Sequence, residues 1–276
     1  MAFLTEDEPE RDTKLPVLPG ISRIVANNPG PMTYFGTNTY LIDGLDGAIV
    51  IDPGPEDHPE HVEAIMRHTG GKIALIVVSH THHDHVGAVP ALQAASGART
   101  AGFRNSAADS FSADIALDHG DTIAGMTALH TPGHRSDHLC FSMPCQGETI
   151  LFSADHVMSW STSIVSPPDG NMAHYFASLR LLLKRNEDAY LPGHGPLLRE
   201  PRALVQGMLA HRLLREQAIV KRLADGPADT AGIVEKLYRG LDPRLFKAAE
   251  RSVLAHLIKL EEDGKAKHDG EVWRGV

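Results

Sequence analysis

A continuous apolar segment that ends in a cluster of metal-binding residue types constrains this chain more than any other feature. Residues 73–79 read Ile-Ala-Leu-Ile-Val-Val-Ser, a run typical of a strand buried on both faces. Residues 80–85 follow at once with the pattern His-x-His-x-Asp-His, and residues 86–95 have the character of a helix. We therefore expect the cluster in a loop between a strand and a helix, where α/β proteins commonly place their chemistry.

Four side chains of this loop are candidate metal ligands. At the end of a strand, His80 and His82 can converge on one point, while Asp84 and His85 can reach a neighbouring point. Imidazole and carboxylate ligands together suit zinc and other borderline divalent metals. The alternative is a solvated histidine-rich loop, but the spacing and the preceding buried strand favour a metal site.

Three later turns supply further candidate ligands, because one loop cannot complete two metal sites. Each turn follows a predicted strand, and each alone would be an ordinary turn. Their occurrence together, in order after the histidine cluster, is what makes them candidates. The turns are Thr131-Pro-Gly-His134, Phe152-Ser-Ala-Asp155 and Leu191-Pro-Gly-His194-Gly.

Strands and helices alternate along the first 200 residues, which predicts a sandwich of two mixed sheets with helices outside. Residues 1–18 are polar and interrupted by proline, so we expect a loose arm there. The predicted strands cover residues 21–26, 40–42, 47–52, 73–79, 98–103, 122–130, 137–143, 149–153 and 188–191. The predicted helices cover residues 57–70, 86–95 and 171–185.

The composition changes near residue 200, which predicts two domains, residues 1–200 and residues 201–276. The second domain contains three helical patterns and then an Asp-Gly turn between two short strands, the signature of a hairpin. Helices followed by a hairpin resemble a winged helix-turn-helix. The helical patterns cover residues 203–224, 229–238 and 243–262.

Charge and composition narrow the range of partners. The net charge is −9, and residues 201–276 carry 14 Lys and Arg against 11 Asp and Glu, so the first domain is strongly acidic. This argues against a polyanionic partner and against DNA binding by the helical domain. The acidic start predicts no secretion signal, and no apolar run has membrane-spanning length, so we expect a cytoplasmic protein. We expect Cys140 and Cys145 to be buried thiols.

The ligand pattern resembles the metallo-β-lactamase superfamily over roughly residues 20–196. Asp52, in Val-Ile-Asp-Pro-Gly, matches the aspartate that this family carries after an early strand. The resemblance implies an αββα sandwich with two metals at one edge, most readily zinc, with iron or manganese as alternatives. It assigns His80, His82 and His134 to the first metal, Asp84, His85 and His194 to the second, and Asp155 to a bridge between them.

The resemblance also implies roles for neighbouring residues. Asp84 would orient the metal-bridging hydroxide that attacks the substrate, and Asp52 would brace the histidine loop. His83 stands at the variable position of the motif and is not expected to bind metal. His156, beside the bridging aspartate, is interpreted as a histidine that faces solvent or supports a ligand, with a general acid as the alternative.

The residue types at the site favour one branch of the superfamily. An aspartate at position 155 resembles glyoxalase II, whereas lactamases carry Cys or Ser there, and His82 disfavours the flavin-linked di-iron branch. Mono-iron persulfide dioxygenases share the motif and stay open. Residues 28–40 and 211–217 resemble a subgroup that contains a mitochondrial β-lactamase-like endoribonuclease and fungal thioesterases that release polyketides.

Two functions therefore compete for a zinc-dependent metallohydrolase of this kind. The first is hydrolysis of a small acyl thioester or ester, and the alternative is cleavage of single-stranded RNA. A thiolate, with a pKa of about 8.5, leaves without a general acid, whereas an RNA alkoxide wants one. Residues 27–43 contain no Lys or Arg to bind phosphate, so the thioester is favoured, with residues 28–40 at the mouth of the site. We expect the helical domain to cover the metal edge and to serve packing or homodimer formation.

Overall fold

The computed structural model describes residues 2–276 as two β-sheets packed face to face, with helices on their outer surfaces. The first sheet has seven strands in chain order, and its last four strands run parallel. The predicted αββα sandwich is confirmed. The strands are β1 (Leu15–Leu18), β2 (Ile21–Val25), β3 (Asn38–Ile42), β4 (Ala48–Ile51), β5 (Ile73–Val77), β6 (Arg99–Phe103) and β7 (Ile115–Leu117).

The second sheet has six strands in the order β13-β12-β11-β10-β9-β8. Strands β11 and β12 are parallel neighbours, and the other pairs are antiparallel. The carboxyl ends of β11 and β12 therefore meet at one edge. The strands are β8 (Thr122–Ile123), β9 (Met126–His130), β10 (Leu139–Cys145), β11 (Glu148–Ala154), β12 (Ala189–Pro192) and β13 (Leu198–Arg199).

Three apolar layers hold the sandwich together. Side chains alternate along each strand, so in β3 Tyr40 and Ile42 pack between the sheets while Leu41 packs against the helices outside. Helices α1 and α3 cover the first sheet, and α4 and α5 cover the second. The helices of the main domain are α1 (Pro59–His68), α2 (His83–Val86), α3 (Val89–Ser96) and α4 (Met172–Leu183).

The C-terminal region begins with a helix that belongs to two cores. Leu204, Val205 and Met208, near the start of α5, pack against the second sheet, whereas Ile219 and Leu223 pack into a separate apolar cluster. That cluster joins two further helices and a hairpin, as the winged-helix pattern predicts. The elements are α5 (Arg202–Ala224), α6 (Thr230–Leu237), a 3-10 turn (Pro243–Leu245), α7 (Phe246–Glu262), β14 (Ala266–Asp269) and β15 (Val272–Gly275).

Several local predictions were wrong. Part of the supposed loose arm, whose residue 1 lies outside the described residues, forms the edge strand β1, because proline is compatible with an edge. The predicted helix 86–95 is interrupted between Val86, the end of α2, and Val89, the start of α3. The predicted strand 122–130 is a hairpin that turns at Ala124 and Gly125, both with positive φ. Strands β7 and β13 were not predicted, since they are too short to show a pattern.

Two further expectations can be compared with the described residues. Cys140 and Cys145 are both free and buried, as expected. Between residues 2 and 276, no helix is both long enough and apolar enough to cross a membrane.

The contact between α5 and α7 yields a prediction about pH. His256 is fully buried with its Nδ1 3.5 Å from Glu216 Oε2, and Lys259 and Arg212 are its other charged neighbours. Burial, only partly offset by the Glu216 hydrogen bond, lowers the pKa of His256 to about 4. Since the unfolded chain takes up this proton near pH 6.5, the stability that neutral His256 confers is present above that pH and is lost towards pH 4.

Replacement of His256 by Gln should therefore remove a part of the acid sensitivity of folding. Between pH 7.5 and 5.5 the loss of unfolding free energy should be about 1 kcal/mol smaller in His256→Gln than in the unchanged protein. Urea unfolding at both pH values measures this difference, and His268→Gln on the exposed hairpin is the control. An equal pH dependence in the unchanged protein and His256→Gln would contradict the assignment.

Candidate metal centre

Seven side chains from four connecting segments meet at one edge of the sandwich. The segment after β5, which includes the short helix α2, carries four of them, and the loops after β9, β11 and β12 carry one each. Their metal-binding atoms form two groups, in each of which all atoms lie within 4.8 Å of one another. The groups are His80, His82, His134 and Asp155, and then Asp84, His85 and His194.

The first group brings three ring nitrogens unusually close together. His82 Nδ1 lies 3.0 Å from His80 Nε2 and 2.8 Å from His134 Nε2, and Asp155 Oδ2 lies 3.5 Å from His134 Nε2. A proton on His82 Nδ1 could satisfy only one of these two contacts, whereas a shared cation satisfies both. Ligands of one tetrahedral zinc ion lie roughly 3.3 Å apart, so the residues fit such an ion.

The second group faces the other oxygen of the same aspartate. Asp84 Oδ2 lies 3.5 Å from His85 Nε2 and 3.3 Å from His194 Nε2. Asp155 Oδ1 lies 3.4 Å from each of these two nitrogens. Asp155 thus presents one oxygen to each group. Among the described residues, His85 Nε2 and Asp155 Oδ1 are buried without a hydrogen-bond partner, which buried polar atoms rarely are unless a ligand completes them.

Asp52 orients one histidine of each group. Its carboxylate accepts hydrogen bonds from the amide (2.8 Å) and the hydroxyl (2.6 Å) of Ser79, and His85 Nδ1 donates to it at 2.8 Å. The Ser79 hydroxyl, having given its proton to Asp52, accepts from His80 Nδ1 at 2.9 Å. In the neutral form, both rings therefore present an unprotonated Nε2 to the centre. Such partners on the far side of a ligand set its tautomer and orientation.

Backbone carbonyls orient two further rings, those of His134 and His194. His134 Nδ1 donates to the Ile164 carbonyl at 2.7 Å, and His194 Nδ1 donates to the Gly36 carbonyl at 3.1 Å. The sequence indicated the role of Asp52 but missed Ser79 and both carbonyls. Every residue carries a carbonyl, so no residue type could have indicated these two contacts.

Comparisons with known families agree with this geometry. A model of the metallo-beta-lactamase superfamily matches residues 32–194, more than half of the chain. The chain belongs to the metallo-β-lactamase superfamily. A second model, for the beta-lactamase associated winged helix domain, matches residues 230–273, within the predicted second domain.

Individual members of the superfamily extend this result. The beta-lactamase-like protein 2 homolog of Drosophila melanogaster is 31% identical over 268 residues, which cover 90% of this chain and 89% of that protein. An atrochrysone carboxyl ACP thioesterase of Aspergillus chevalieri is 28% identical over 242 residues, which cover 83% and 76%. A solved beta-lactamase domain protein from Burkholderia ambifaria has the same fold, with a TM-score of 0.83, 24% identity and coverage of 97% and 95%.

In this member of the superfamily the first group of histidines is held neutral. Burial, reinforced by His85, lowers the pKa of His80 well below its usual value. Burial and the neighbouring His134 lower the pKa of His82 to about 3. Burial also lowers the pKa of His134, against the opposing effect of Asp155. Neutral imidazole is the form that binds metals.

The second group stabilises positive charge. Burial would lower the pKa of His85 and His194, but the nearby carboxylates outweigh it. Asp84 and Asp155 raise the pKa of His85 well above its usual value, and Asp155 raises that of His194 to about 9. Conversely, these histidines hold the pKa of both carboxyls low despite burial. A place that stabilises imidazolium in this way also suits a divalent cation.

Two histidines beside the ligands have other surroundings. His83 is exposed on α2, where its Nε2 lies 3.1 Å from Glu56, and it belongs to neither group. His156 does not face solvent, which was one interpretation of its position. It is fully buried, with its ring 4.8 Å from Tyr175, and neither ring nitrogen has a partner among the described residues.

The segment 28–40 contacts the second group directly. The Gly36 carbonyl orients His194, and the Thr37 hydroxyl donates to Asp84 Oδ2 at 3.3 Å. The segment is not a loop throughout, because residues 38–40 belong to β3 and pair with β2. Tyr34 is half-buried and stacks on Trp160 at 4.9 Å, a contact that the sequence did not indicate.

Loss of Asp155 should separate the two groups. The purified protein is expected to bind about two equivalents of zinc, or of iron or manganese in its place, and Asp155→Ala about one. Elemental analysis after dialysis measures the ratio, and Asp118→Ala, a surface carboxylate paired with Arg104, is the control. Two retained equivalents in Asp155→Ala would contradict the bridging assignment.

Gly193 is a second, independent test of the site. A Cβ there would lie 2.5 Å from Asp155 Oδ1 and 2.8 Å from His85 Cε1, so Gly193→Ala must displace one of them. We expect a fall in zinc affinity of about tenfold or more, measured by chelator competition. In Gly275→Ala, where the nearest atoms would be 3.8 Å away, zinc affinity should stay unchanged. Unchanged affinity in both variants would show that Asp155 Oδ1 and the His85 ring do not bind the metal.

Proposed function

We propose that this protein is a binuclear metal-dependent hydrolase of a small acyl thioester or ester, with chemistry like that of glyoxalase II. The observation that carries the proposal is the position of Asp155. Its Oδ2 faces the first group of ligands, and its Oδ1 faces the second. When bound, a pair of divalent ions would polarise the acyl carbonyl and lower the pKa of a water molecule. The seven residues of the two groups would hold that pair.

The residues around the ligands have separate tasks in this proposal. The Thr37 hydroxyl donates to Oδ2 of Asp84. The other carboxylate oxygen, Oδ1, would orient the attacking water. Asp52 keeps the rings of His80 and His85 aligned while charge develops on the substrate. Alignment of this kind before reaction is how active sites stabilise charge without reorganisation.

The surroundings of the leaving group favour a thiolate. His156, whose alternative interpretation was a general acid, is buried against Tyr175 and cannot reach a substrate. A thiolate leaves without protonation, because its pKa is about 8.5. The similarity to an ACP thioesterase supports this choice, and the carrier of the acyl group here is proposed to be a thiol of that general kind.

The charges near the site argue against RNA. Arg11 and Arg23, which bond to loops beside the ligands, are engaged with Glu8 and Glu6. An apolar surface lies nearby instead, with Met32 59% exposed and Tyr34 half-buried. An acyl chain can lie against such a surface, whereas each phosphate of RNA needs a basic residue or a backbone amide.

The helical domain is proposed to support the catalytic domain and not to bind DNA. Helix α7, the third helix of the winged-helix domain, buries much of one face against its neighbours, and Arg251 donates to Ser166 Oγ of the catalytic domain at 2.9 Å. That face is therefore engaged in contacts within this chain. We also propose that the protein is cytoplasmic.

A panel of substrates tests the function. Thioesters of glutathione and coenzyme A, a lactone and a single-stranded RNA oligomer should be offered to the zinc-loaded protein at low and high salt. We expect thioester turnover with little salt dependence, and an increase in KM for the acyl substrate in the Tyr34→Ala, Phe35→Ala double variant.

Metal content must be equal in the variants that are compared, and Asp155→Ala serves as the inactive reference. Strong, salt-sensitive cleavage of RNA with no turnover of any thioester or lactone would replace this proposal by the nuclease.

A further inference from the structure

The loop that follows the bridging aspartate, residues 156–171, supports both groups of ligands. The Ser163 hydroxyl lies within hydrogen-bonding distance of two carbonyl oxygens, that of Asp155 and, at 2.9 Å, that of His156, and its single hydrogen is shared between them. The next residue, Ile164, supplies the carbonyl that orients His134. Ser163 and Ile164 thus set the backbone at Asp155 and the ring of His134 together.

One residue of the C-terminal region, Arg212, holds this loop by a hydrogen bond from α5. Arg212 of α5 is 4% exposed, and its Nη2 donates to the Ser163 carbonyl. Its guanidinium also lies 5.8 Å from the centre of the Tyr175 ring, whose hydroxyl donates to the His156 carbonyl at 3.1 Å. Arg212 and Tyr175 therefore form one layer behind the loop.

Packing alone does not explain why this buried position carries an arginine. Its side-chain hydrogen bond goes to a neutral carbonyl, and its Nε has no partner within residues 2–276. A buried charge without a carboxylate costs free energy, and an apolar side chain of similar volume would pack as well or better. The guanidinium is therefore explained by what it holds, the carbonyl of Ser163.

We propose that Arg212 is a positioning residue of the metal centre, which holds His134 and Asp155 in place through Ser163. The first helix after the catalytic domain then completes the site, although it contributes no ligand. This inference rests on the metal centre of the proposed function but not on the identity of the substrate.

The same helix offers a matched control. Arg215 lies one turn further along α5, donates to the Leu237 carbonyl at 3.0 Å and stacks at 3.9 Å on Tyr238. Its Nε also lacks a partner among the described residues. Arg215 therefore makes the same kinds of contact as Arg212, but to α6 and its end instead of the loop 156–171.

The experiment measures zinc affinity of the full-length, metal-free protein by competition with a chromophoric chelator. Loss of a direct partner of a metal ligand typically costs roughly 10- to 100-fold in affinity. Arg212 acts one contact further away, through Ser163, so Arg212→Met should weaken zinc binding by about tenfold, the lower end of that range. Arg212→Lys, which keeps the charge and one donor, should recover part of the loss. Arg215→Met should lower Tm without weakening zinc binding.

Two further measurements keep the test decisive. The visible absorption of the cobalt(II)-loaded protein reports ligand geometry, and it should change in Arg212→Met but not in Arg215→Met. Ser163→Ala removes only the hydroxyl that holds the Asp155 carbonyl. It should also weaken zinc binding, and this result can be measured even if Arg212→Met does not fold.

The outcomes separate the two proposals. If the unchanged protein takes up neither zinc nor iron nor manganese, the metal centre and with it the proposed function fail. If it binds zinc and Arg212→Met and Ser163→Ala bind it equally well, only the role of Arg212 fails. Equal losses of affinity in Arg212→Met and Arg215→Met would also overturn that role, because they would reflect general destabilisation.

Discussion

The rest of the site depends on the hydrogen bonds that the Asp52 carboxylate accepts. Asp52 follows β4 and Ser79 follows β5, its parallel neighbour, and the amide of Asp52 bonds to the Val77 carbonyl at 2.9 Å. Through Ser79 the carboxylate orients His80, and directly it orients His85, one ring in each group of ligands. A single buried carboxylate thus ties two strand ends to both groups of the candidate metal centre.

The centre also depends on how the two sheets pack. Five of its side chains lie in the segments after β5, which includes α2, and after β9. The other two, Asp155 and His194, lie in loops after the parallel strands β11 and β12. The apolar layer between the sheets, which includes Phe141 and Phe152, sets the distance between these loops. Strain is located here too, since Asp52 and Ala154 both have positive φ, a conformation that surrounding contacts must hold.

The helical domain illustrates that a fold does not by itself carry a function. Its third helix would enter DNA in a winged-helix protein that reads sequence, but here its buried face includes His256, which meets Phe176 of the catalytic domain. Helix α5 joins the cores of both domains. The domain boundary that the change in composition predicts near residue 200 lies directly before α5, so a packed helix and not a loose linker follows it.

The sequence by itself determined the fold class and all the side chains that the structure brings together at the metal edge. Both follow from local patterns: a buried strand, a dense ligand motif and three turns that end strands. Only the tertiary structure decided what lies behind those ligands, because the carbonyls of Gly36 and Ile164 belong to no residue type, and Arg212 is 49 residues away from Ser163 in the chain. The edge strand β1 was hidden for a similar reason, since a proline-containing segment becomes a strand only where a neighbour pairs with it. Short-range spacing encodes which groups can bind a metal, whereas long-range packing sets the direction in which each one points.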